Sequence, residues 1–477
     1  GVPDEEWSCG YGKTVEIDGL PLVANWGGGN YSANATARVA RLMLNLGNWD
    51  GQQLVDPRAV KATVSDVGTT GHGGIGWWTN STGQLGKMPA DAYCGLGAQD
   101  QIVLVVPSLD LIMVRNGGSL QASEGFDADS AVRRQLLFDP LMDCITDAPE
   151  ITGKPSLPYP PSELIAAIDW APTDFITRKA QGSDNWPMTW ADDNALYTAY
   201  GDGWGFDPVV EKKLSLGICK VTGGTSPASF RAENIRSETI ERTGQGAHGP
   251  KASGILMVDG VLYLWIRNTG NAELAWSKDH GKTWTWADWK LETSFGAPTF
   301  LNFGKNYNGA RDDFVYIYSQ DRDSAYDRAD SMVMARVPKN RITSQSDYEF
   351  FSHVDFVGEP VWTSDIEKRG PVFIHYNNCY RNGITYNAAL GRYFWSQVLP
   401  ESKHRQGQRF QGGFGVYEAP QPWGPWRTIF FTSNWDVGPG ETSSFPTKWM
   451  SDDGLSMHLV FSGDDFFSVR KAELRLR

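Results

Sequence analysis

Cysteine is scarce in this chain. The five cysteines among 477 residues (Cys9, Cys94, Cys144, Cys219 and Cys379) are odd in number, far apart and in no Cys-x-x-Cys arrangement. That pattern excludes a zinc ribbon and a disulfide-stapled framework, and leaves room for one bridge. A hydrophobic run long enough to span a bilayer is also missing, and no signal peptide is visible. Basic residues are outnumbered: 43 Lys and Arg stand against 56 Asp and Glu, for a net charge of −13 and a pI near 5.1. Without an overall basic field to displace phosphate counterions, general nucleic-acid binding is excluded, and the acidic balance reads as solubility.

What the chain has is aromatic residues and turns. Aromatics make up 12%, with 20 Trp, and 52 Gly with 26 Pro suit many short strands joined by turns. The length predicts two or three domains. From Gly182 to Gly203 an alternating segment enters through Met188, Thr189 and Trp190, turns at Asp192-Asp193-Asn194 and returns as Leu196 to Tyr200. The pattern recurs at Ser253–Asn268, turning at Asp259-Gly260, then at Pro298–Asp321, Gly383–Val398 and Pro446–Asp464. Five hairpins, each ending in a polar cluster, predict a radial repeat: a mainly β protein with a five-bladed β-propeller over residues 173–477. A Pro-rich linker over 147–172 with a short helix beginning near Ser162 separates it from a smaller α+β domain over 1–146. There Ser32 or Asn34 would cap an amphipathic helix presenting Val39, Leu42, Met43 and Leu46. Two apolar strands meet at Pro107-Ser108, and Ala131–Cys144 closes the domain as a helix.

In a propeller, starts of first strands and ends of second strands share a face, which holds the central funnel. The starts supply Ser183, Asp184 and Asn185; His248 and Lys251; Ser294 and Phe295; Tyr380 and Arg381; and Glu441, Thr442 and Ser443. The ends supply Asp202, Arg267, Asn268, Asp321, Arg322, Asp464 and Asp465. Glycoside hydrolysis needs one carboxyl protonated to release the leaving oxygen and one ionised as nucleophile or base. Asp184 suits the ionised role and Glu441 the acid, with Asp321 or Asp202 tuning the acid or holding a sugar hydroxyl. Each could equally be a rim carboxylate or a turn cap.

Two resemblances refine this reading. Ser183-Asp184-Asn185, Trp190-Ala191-Asp192-Asp193, Gly201-Asp202-Gly203 and Gly424-Pro425-Trp426 make the chain from about Thr173 onward similar to five-bladed propeller glycosidases of the arabinanase-like group. The closest likeness is to an uncharacterised-domain family that includes bacterial endo-D-arabinanases. It implies a carbohydrate-active propeller with Asp184 as a catalytic carboxylate. Ser277–Trp284 (SKDHGKTW) resembles the Asp box of sialidase-like propellers, which marks an outer turn rather than a site. In the first domain, the stretch from Gly28 to Pro57, GIGWW and VVPSLDLIMVRNGG resemble the C-terminal half of the serine β-lactamase and penicillin-binding-protein-like fold. That family implies a Ser-x-x-Lys nucleophile and a Tyr-x-Asn motif, both absent from residues 1–150, and a third strand motif that survives only as Cys94-Gly95-Leu96-Gly97 or near His72-Gly73-Gly74. The domain is therefore expected to be non-catalytic, and a β-lactamase-like esterase is the least favoured activity.

Two alternatives to a glycosidase remain. Lys251, Arg267, Arg322, Arg381 and Lys448 bring positive charge to the predicted face, which would suit an anionic sugar. A lyase acting on a uronate could use His248, Lys251, Tyr380 or Tyr386 as base. A non-catalytic lectin would stack sugars on Trp186, Trp204, Phe295 or Trp435, and Asn185, Asn268 and Arg267 are among the candidate substrate-binding residues in any of these readings. No cofactor is required. A calcium ion at the propeller axis has room in this architecture but no calcium-loop spacing behind it. The expected partner is a carbohydrate, with no nucleic acid and no membrane, and the glycan-active reading carries a secreted or periplasmic bacterial location.

Overall fold

The computed structural model describes residues 3, 7–8, 13–23, 29–67, 73–80, 85–120, 133–145, 157–354, 359–400 and 409–477. They divide into two compact units, Gly1–Pro158 and Tyr159–Arg477. No helix among the described residues is long and apolar enough to cross a membrane.

The first unit is built on an antiparallel sheet ordered Leu111–Arg115, Gln101–Val106, Tyr93–Gly97, Trp78–Thr79. Strand periodicity sends Ile102, Leu104 and Val106 to one face, against Cys94, Phe138 and Met142, while Val103 and Val105 go to the other beside Tyr93 and Ala40. Ser32 caps the helix Ala33–Leu44, accepting from the Ala35 amide at 3.0 Å. Its buried side matches the one expected from apolar periodicity only in part, at Met43. Ala35 and Ala40 face inward with Met43 and Leu44 beside them, while Val39 is 54% and Leu46 38% exposed. Small alanines let the helix come close to the sheet, so the fit at the contact selects the face over side-chain hydrophobicity. The closing helix is described from Arg133 and begins as a π turn over Arg134–Phe138 before Asp139–Asp143, where Pro140 supplies no amide donor. The degenerate Cys94–Gly97 motif is a sheet strand. Burial pushes its Cys94 thiol up to about 12, which leaves it inert as a nucleophile. His72 lies outside the described residues. The described cysteines, Cys94, Cys144, Cys219 and Cys379, are all free.

The second unit is a succession of antiparallel sheets whose first strands are Asp184–Trp190, Lys251–Val258, Thr299–Asn302, Asn382–Asn387 and Ser443–Ser444. Each first strand packs on the next and the fifth packs on the first, so the sheets curl into a closed ring. Between the third and fourth the contact includes parallel pairing, Leu301 with Ile384 and Asn302 with Thr385. The first strand of the second sheet is buried along its length, because the ring covers both of its faces. The five expected hairpins are present, with two differences of detail. The last first strand lies at Ser443–Ser444, ahead of Pro446, and Thr447–Trp449 forms a single 3-10 turn instead of strand. Pro446 has no N–H for a sheet ladder, so the chain leaves the sheet there.

The larger difference concerns the segment expected to be a strap with a helix from Ser162. Ser162 Oγ donates to Glu418 and accepts from the Ile165 amide, and Ile165–Trp170 then pairs antiparallel with Phe467–Leu476 as the outer strand of the fifth sheet. Spacing of Leu164, Ile165 and Ile168 mimics a helix locally. Thr177–Lys179 pairs with Phe467–Val469, and the remaining edge at Ala472–Leu476 offers the segment a ladder of backbone hydrogen bonds instead. Trp170 anchors the strand among Phe414, Phe430, Trp435 and Phe445.

Candidate active site

Register fixes where the polar residues go. Asp184 stands opposite Gly201, and Lys251 opposite Arg267, so first-strand starts and second-strand ends share one rim. The first strand opens with a bulge between Asn185 and Met188, where Asn185 (φ 74°) and Trp186 (φ 92°) both take left-handed backbone. Such geometry costs on the order of 1–3 kcal/mol per residue and persists only where its surroundings hold it. Here Trp186 is fully buried against Tyr200, Phe206 and Phe467, while Thr442 Oγ1 donates to the Asn185 carbonyl. The bulge turns the Asp184 and Asn185 side chains toward Gly201. A Cβ there would lie 2.3 Å from Asn185 Nδ2, so only glycine fits.

Four carboxylates from the first and fifth sheets gather around Arg409. Its guanidinium donates to Asp184 Oδ2 at 2.9 Å and to Asp465 Oδ2 at 3.4 Å, with Glu441 Oε1 at 3.8 Å and Asp202 Oδ2 at 3.9 Å. Each carboxylate also has a second environment. Asp184 Oδ1 accepts from Asn185 Nδ2 at 2.9 Å, and Asn185 Oδ1 accepts from Arg267 Nη2 at 3.0 Å. Asp202 pairs with the buried Lys251 ammonium and accepts from the Gly246 amide. Glu441 pairs with the buried Arg381 guanidinium. Asp465 keeps Oδ1 buried without a hydrogen-bond partner among the described residues. Burial pushes Asp465 above the usual carboxylate range; Asp184 and Asp202 push the same way, against Arg409 and Lys213. Burial, joined by the charge of Arg267, lowers Arg381 to about 10.

Beside this cluster, the ring of Tyr326 covers two guanidiniums, with Arg267 Cζ 5.3 Å and Arg381 Cζ 4.9 Å from its centre. Its hydroxyl accepts from Asn268 Nδ2 at 3.4 Å. Burial alone would raise this phenol, but Arg267, Arg381, Asn268 and Lys251 outweigh it and hold it below its ordinary value.

Asp184, Asp202, Glu441, Asn185, Lys251, Arg267, Asn268 and Arg381 are thus brought together. The remaining candidates are not part of this network. Asp321 is engaged with Arg369 at 2.8 Å and Ser294 at 2.7 Å, and Arg322 turns its Nε to the Arg328 carbonyl. His248 is exposed at the end of a short turn. Trp186 and Phe295 are fully buried and Trp435 nearly so, so none of the three offers a face to a sugar; Trp204, 38% exposed, does. Tyr386 packs on Phe303 and Tyr393 near the far turn of its hairpin. Lys448 donates to the carbonyls of Asn194 and Gly223, beside the far turn of the first sheet. These two were placed by counting along strands, and a hairpin's middle and turn carry side chains to the other rim.

The sequence reading left out Arg409 and Tyr326. Both lie between the second and third strand of a sheet, Arg409 ahead of Phe414 and Tyr326 ahead of Ala329. Second strands end on the funnel rim, so the loops that follow them begin there. The long interval in sequence between the strands ending at Val398 and beginning at Phe414 was the available signal.

At the ring's centre, a cavity of about 10 Å³ is lined by residues including Ser253, Thr299, Asn302, Asn382, Thr442 and Ser443. Its lining holds no carboxylate, a donor set that does not fit Ca²⁺. An open cavity of about 710 Å³ lies among the far turns instead, lined by residues including Asp192, Asp259, Lys305 and Asp312. Asp192, Asp193 and His280 approach one another nearby, but Asp192 is bonded to His280 at 2.7 Å and Asp193 to Lys220 at 2.8 Å. Ser277–Trp284 is a turn braced largely by its own side chains, with His280 bonded to Asp192 and the Trp284 amide donating to Thr239 Oγ1. Burial opposes ionisation of Asp279, but Thr283, Ser277 and the Lys282 amide hold it at about 2, and the Trp284 indole donates to the Gly281 carbonyl.

No protein-family model matches this chain, and no curated protein matches it. Among solved structures it is similar to the β-xylosidase RS223, with 10% identity and a TM-score of 0.39 over 63% of this chain and 95% of that one. It is also similar to a GH43_1 enzyme from Xanthomonas citri, with 12% identity and a TM-score of 0.37 over 63% and 90% of the two chains. A putative hydrolase from Bacteroides ovatus gives 13% identity and a TM-score of 0.39 over 64% and 93%. Likenesses of this size carry no argument about activity, which has to come from the site.

Proposed function

We propose that this chain hydrolyses a glycan at the Arg409 cluster, and that its second unit is a five-bladed β-propeller serving that reaction. One observation carries the reading: carboxyls from separate sheets converge on a single cation while one of them, Asp465, is biased toward holding its proton. Hydrolysis of a glycosidic bond needs that inequality. Asp465 gives its proton to the leaving oxygen as the bond to the anomeric carbon breaks. Asp184, ion-paired with Arg409 and hydrogen-bonded by Asn185, takes the opposite role of nucleophile or base. Asp202, held by Lys251, and Glu441, held by Arg381, fix the field around them. The proton-donor role, expected of Glu441, passes to Asp465 because Glu441 is committed to two guanidiniums. The first unit is assigned no catalytic step, since it lacks a Ser-x-x-Lys nucleophile.

The test is a polysaccharide digestion panel with the unaltered protein, Asp184→Asn and Asp465→Asn, reading reducing ends and unsaturated-uronate absorbance together. Both variants are expected to lose about 10²–10⁴-fold in activity. On an aryl glycoside with a good leaving group, Asp465→Asn should recover much of its rate and Asp184→Asn should not. Absorbance appearing with cleavage makes the protein a lyase. Binding without any cleavage makes it a lectin, and either result overturns the proposal.

A further inference from the structure

Buried cations in the second unit are answered by acceptors, except at one adjoining pair, Arg267 and Arg381. Lys251 meets Asp202, Lys448 meets two carbonyls, and Arg470 grips Asp436 through both terminal nitrogens at 2.6 Å. Arg267 is 1% exposed, and among the described residues it is in ion-pair reach of no carboxylate. Its Nη2 donates to a neutral amide oxygen, and Nε and Nη1 have no hydrogen-bond partner. Arg381, 2% exposed, uses Nε on the Ala325 carbonyl and Nη1 on Glu441, leaving Nη2 without a partner. Both lie against the same Tyr326 ring, so the two charges repel one another in a place that water barely reaches. A buried charge is tolerated when it is paired and hydrogen-bonded, and here the acceptors are too few.

We infer that Arg267 and Arg381 form a subsite for an oxyanion carried by the glycan, a uronate carboxylate or a sulfate ester, seated against the Tyr326 ring. The inference rests on the glycan-cleaving reading for its ligand and adds the ligand's charge. Guanidinium forks match the planar, bidentate geometry of such groups. The position is also one an acidic sugar needs, because the carboxylates around Arg409 would repel it unless neighbouring cations offset them. Tyr326 itself is 36% exposed, on the loop between the second and third strands of its sheet, so the guanidiniums lie one aromatic ring away from solvent.

The experiment is calorimetric binding of tetragalacturonate, of the same tetramer with its carboxyls reduced to alcohols, and of a sulfated galactose disaccharide, to the unaltered full chain and to Asp465→Asn, which blocks turnover. An oxyanion bound by these guanidiniums should favour at least one charged probe over the reduced tetramer by about tenfold to a hundredfold. Which charged probe binds tells carboxylate from sulfate. Arg267→Gln and Arg381→Gln should abolish the preference while leaving the weak binding of the reduced tetramer. Should those variants fail to fold, the comparison on the unaltered chain still decides. Equal binding of charged and reduced probes, or no binding of either charged probe, overturns the subsite. Acid preference without cleavage of any glycan would keep the subsite and sink the hydrolase, whereas cleavage of neutral glycans without acid preference would do the reverse.

Discussion

Replacing Arg409 by glutamine removes the one cation that the clustered carboxylates share. Its Nη1 lies 3.4 Å from Asp465 Oδ2. Two unit charges at that distance interact by about 5 kcal/mol at an effective dielectric near 20. The Arg409 side chain is 32% exposed and three other carboxylates draw on the same charge, so the part belonging to Asp465 falls to about 1–2 kcal/mol, roughly one pH unit. The sign follows from what is lost. Without the cation the charged carboxylate is disfavoured, so Asp465, already raised by burial, holds its proton to a still higher pH. Activity that needs the protonated acid should then persist on the alkaline side by about one further pH unit, even where the maximum rate is lower. Stability should move in the matching direction. Below the ordinary carboxylate range Asp465 is protonated in folded and unfolded chains alike, and its share of the deficit vanishes. As pH rises through its elevated folded value, the variant should lose stability relative to the unaltered protein. Urea unfolding at about pH 4 and about pH 7, with the pH profile of kcat/KM, measures both. A stability deficit equal at the two pH values, or an alkaline limb that stays put or moves down, would refute the reasoning.

Two further outcomes are expected. Lys448→Met should leave glycan binding unchanged and cost about 1–3 kcal/mol of stability, because it strips the Asn194 and Gly223 carbonyls of a buried donor on the rim opposite the funnel; reduced glycan affinity in a folded variant would contradict that placement. Trp170→Ala should cost about 3–5 kcal/mol in chemical denaturation by emptying the aromatic cluster that anchors the closing strand, and a loss under about 1 kcal/mol would show that the strand is held by its backbone alone.

The ring was legible because its signals are local. Alternating residues around Asp192-Asp193-Asn194 or Asp259-Gly260 specify a hairpin with no help from the rest of the chain, and hairpin polarity alone carried Asp184, Asp202, Lys251, Arg267, Arg381 and Glu441 to one rim. What escaped was set by distant partners. Ile165–Trp170 is a strand because Ala472–Leu476 has an edge left to pair, a fact with no trace near Ser162. Trp186 looked available for stacking because an aromatic at a strand start is ordinary there, whereas the bulge that rotates it into Tyr200, Phe206 and Phe467 appears only in three dimensions. Arg409 and Tyr326 sit in irregular loops, where periodicity has nothing to report. The raised Asp465 carboxyl depends on burial, which a run of Ser-Gly-Asp-Asp does not reveal.

The closing strand also sets the order of events during synthesis. Arg470 on the last strand donates to the carbonyl of Ala171, 299 positions earlier, and pairs with Asp436 beside the same aromatic cluster. At elongation rates of about 5–20 residues per second, the segment around Trp170 waits on the order of 15–60 s before its partner emerges from the ribosome. Through that interval the first four sheets can form their own ladders and Phe414 and Phe430 can cover part of Trp170, but Ile165–Trp170 has no strand to pair with. A nascent chain of this protein therefore carries an unpaired strand edge until Phe467–Leu476 is made, a natural foothold for a chaperone. Its final act of folding is to withdraw that foothold.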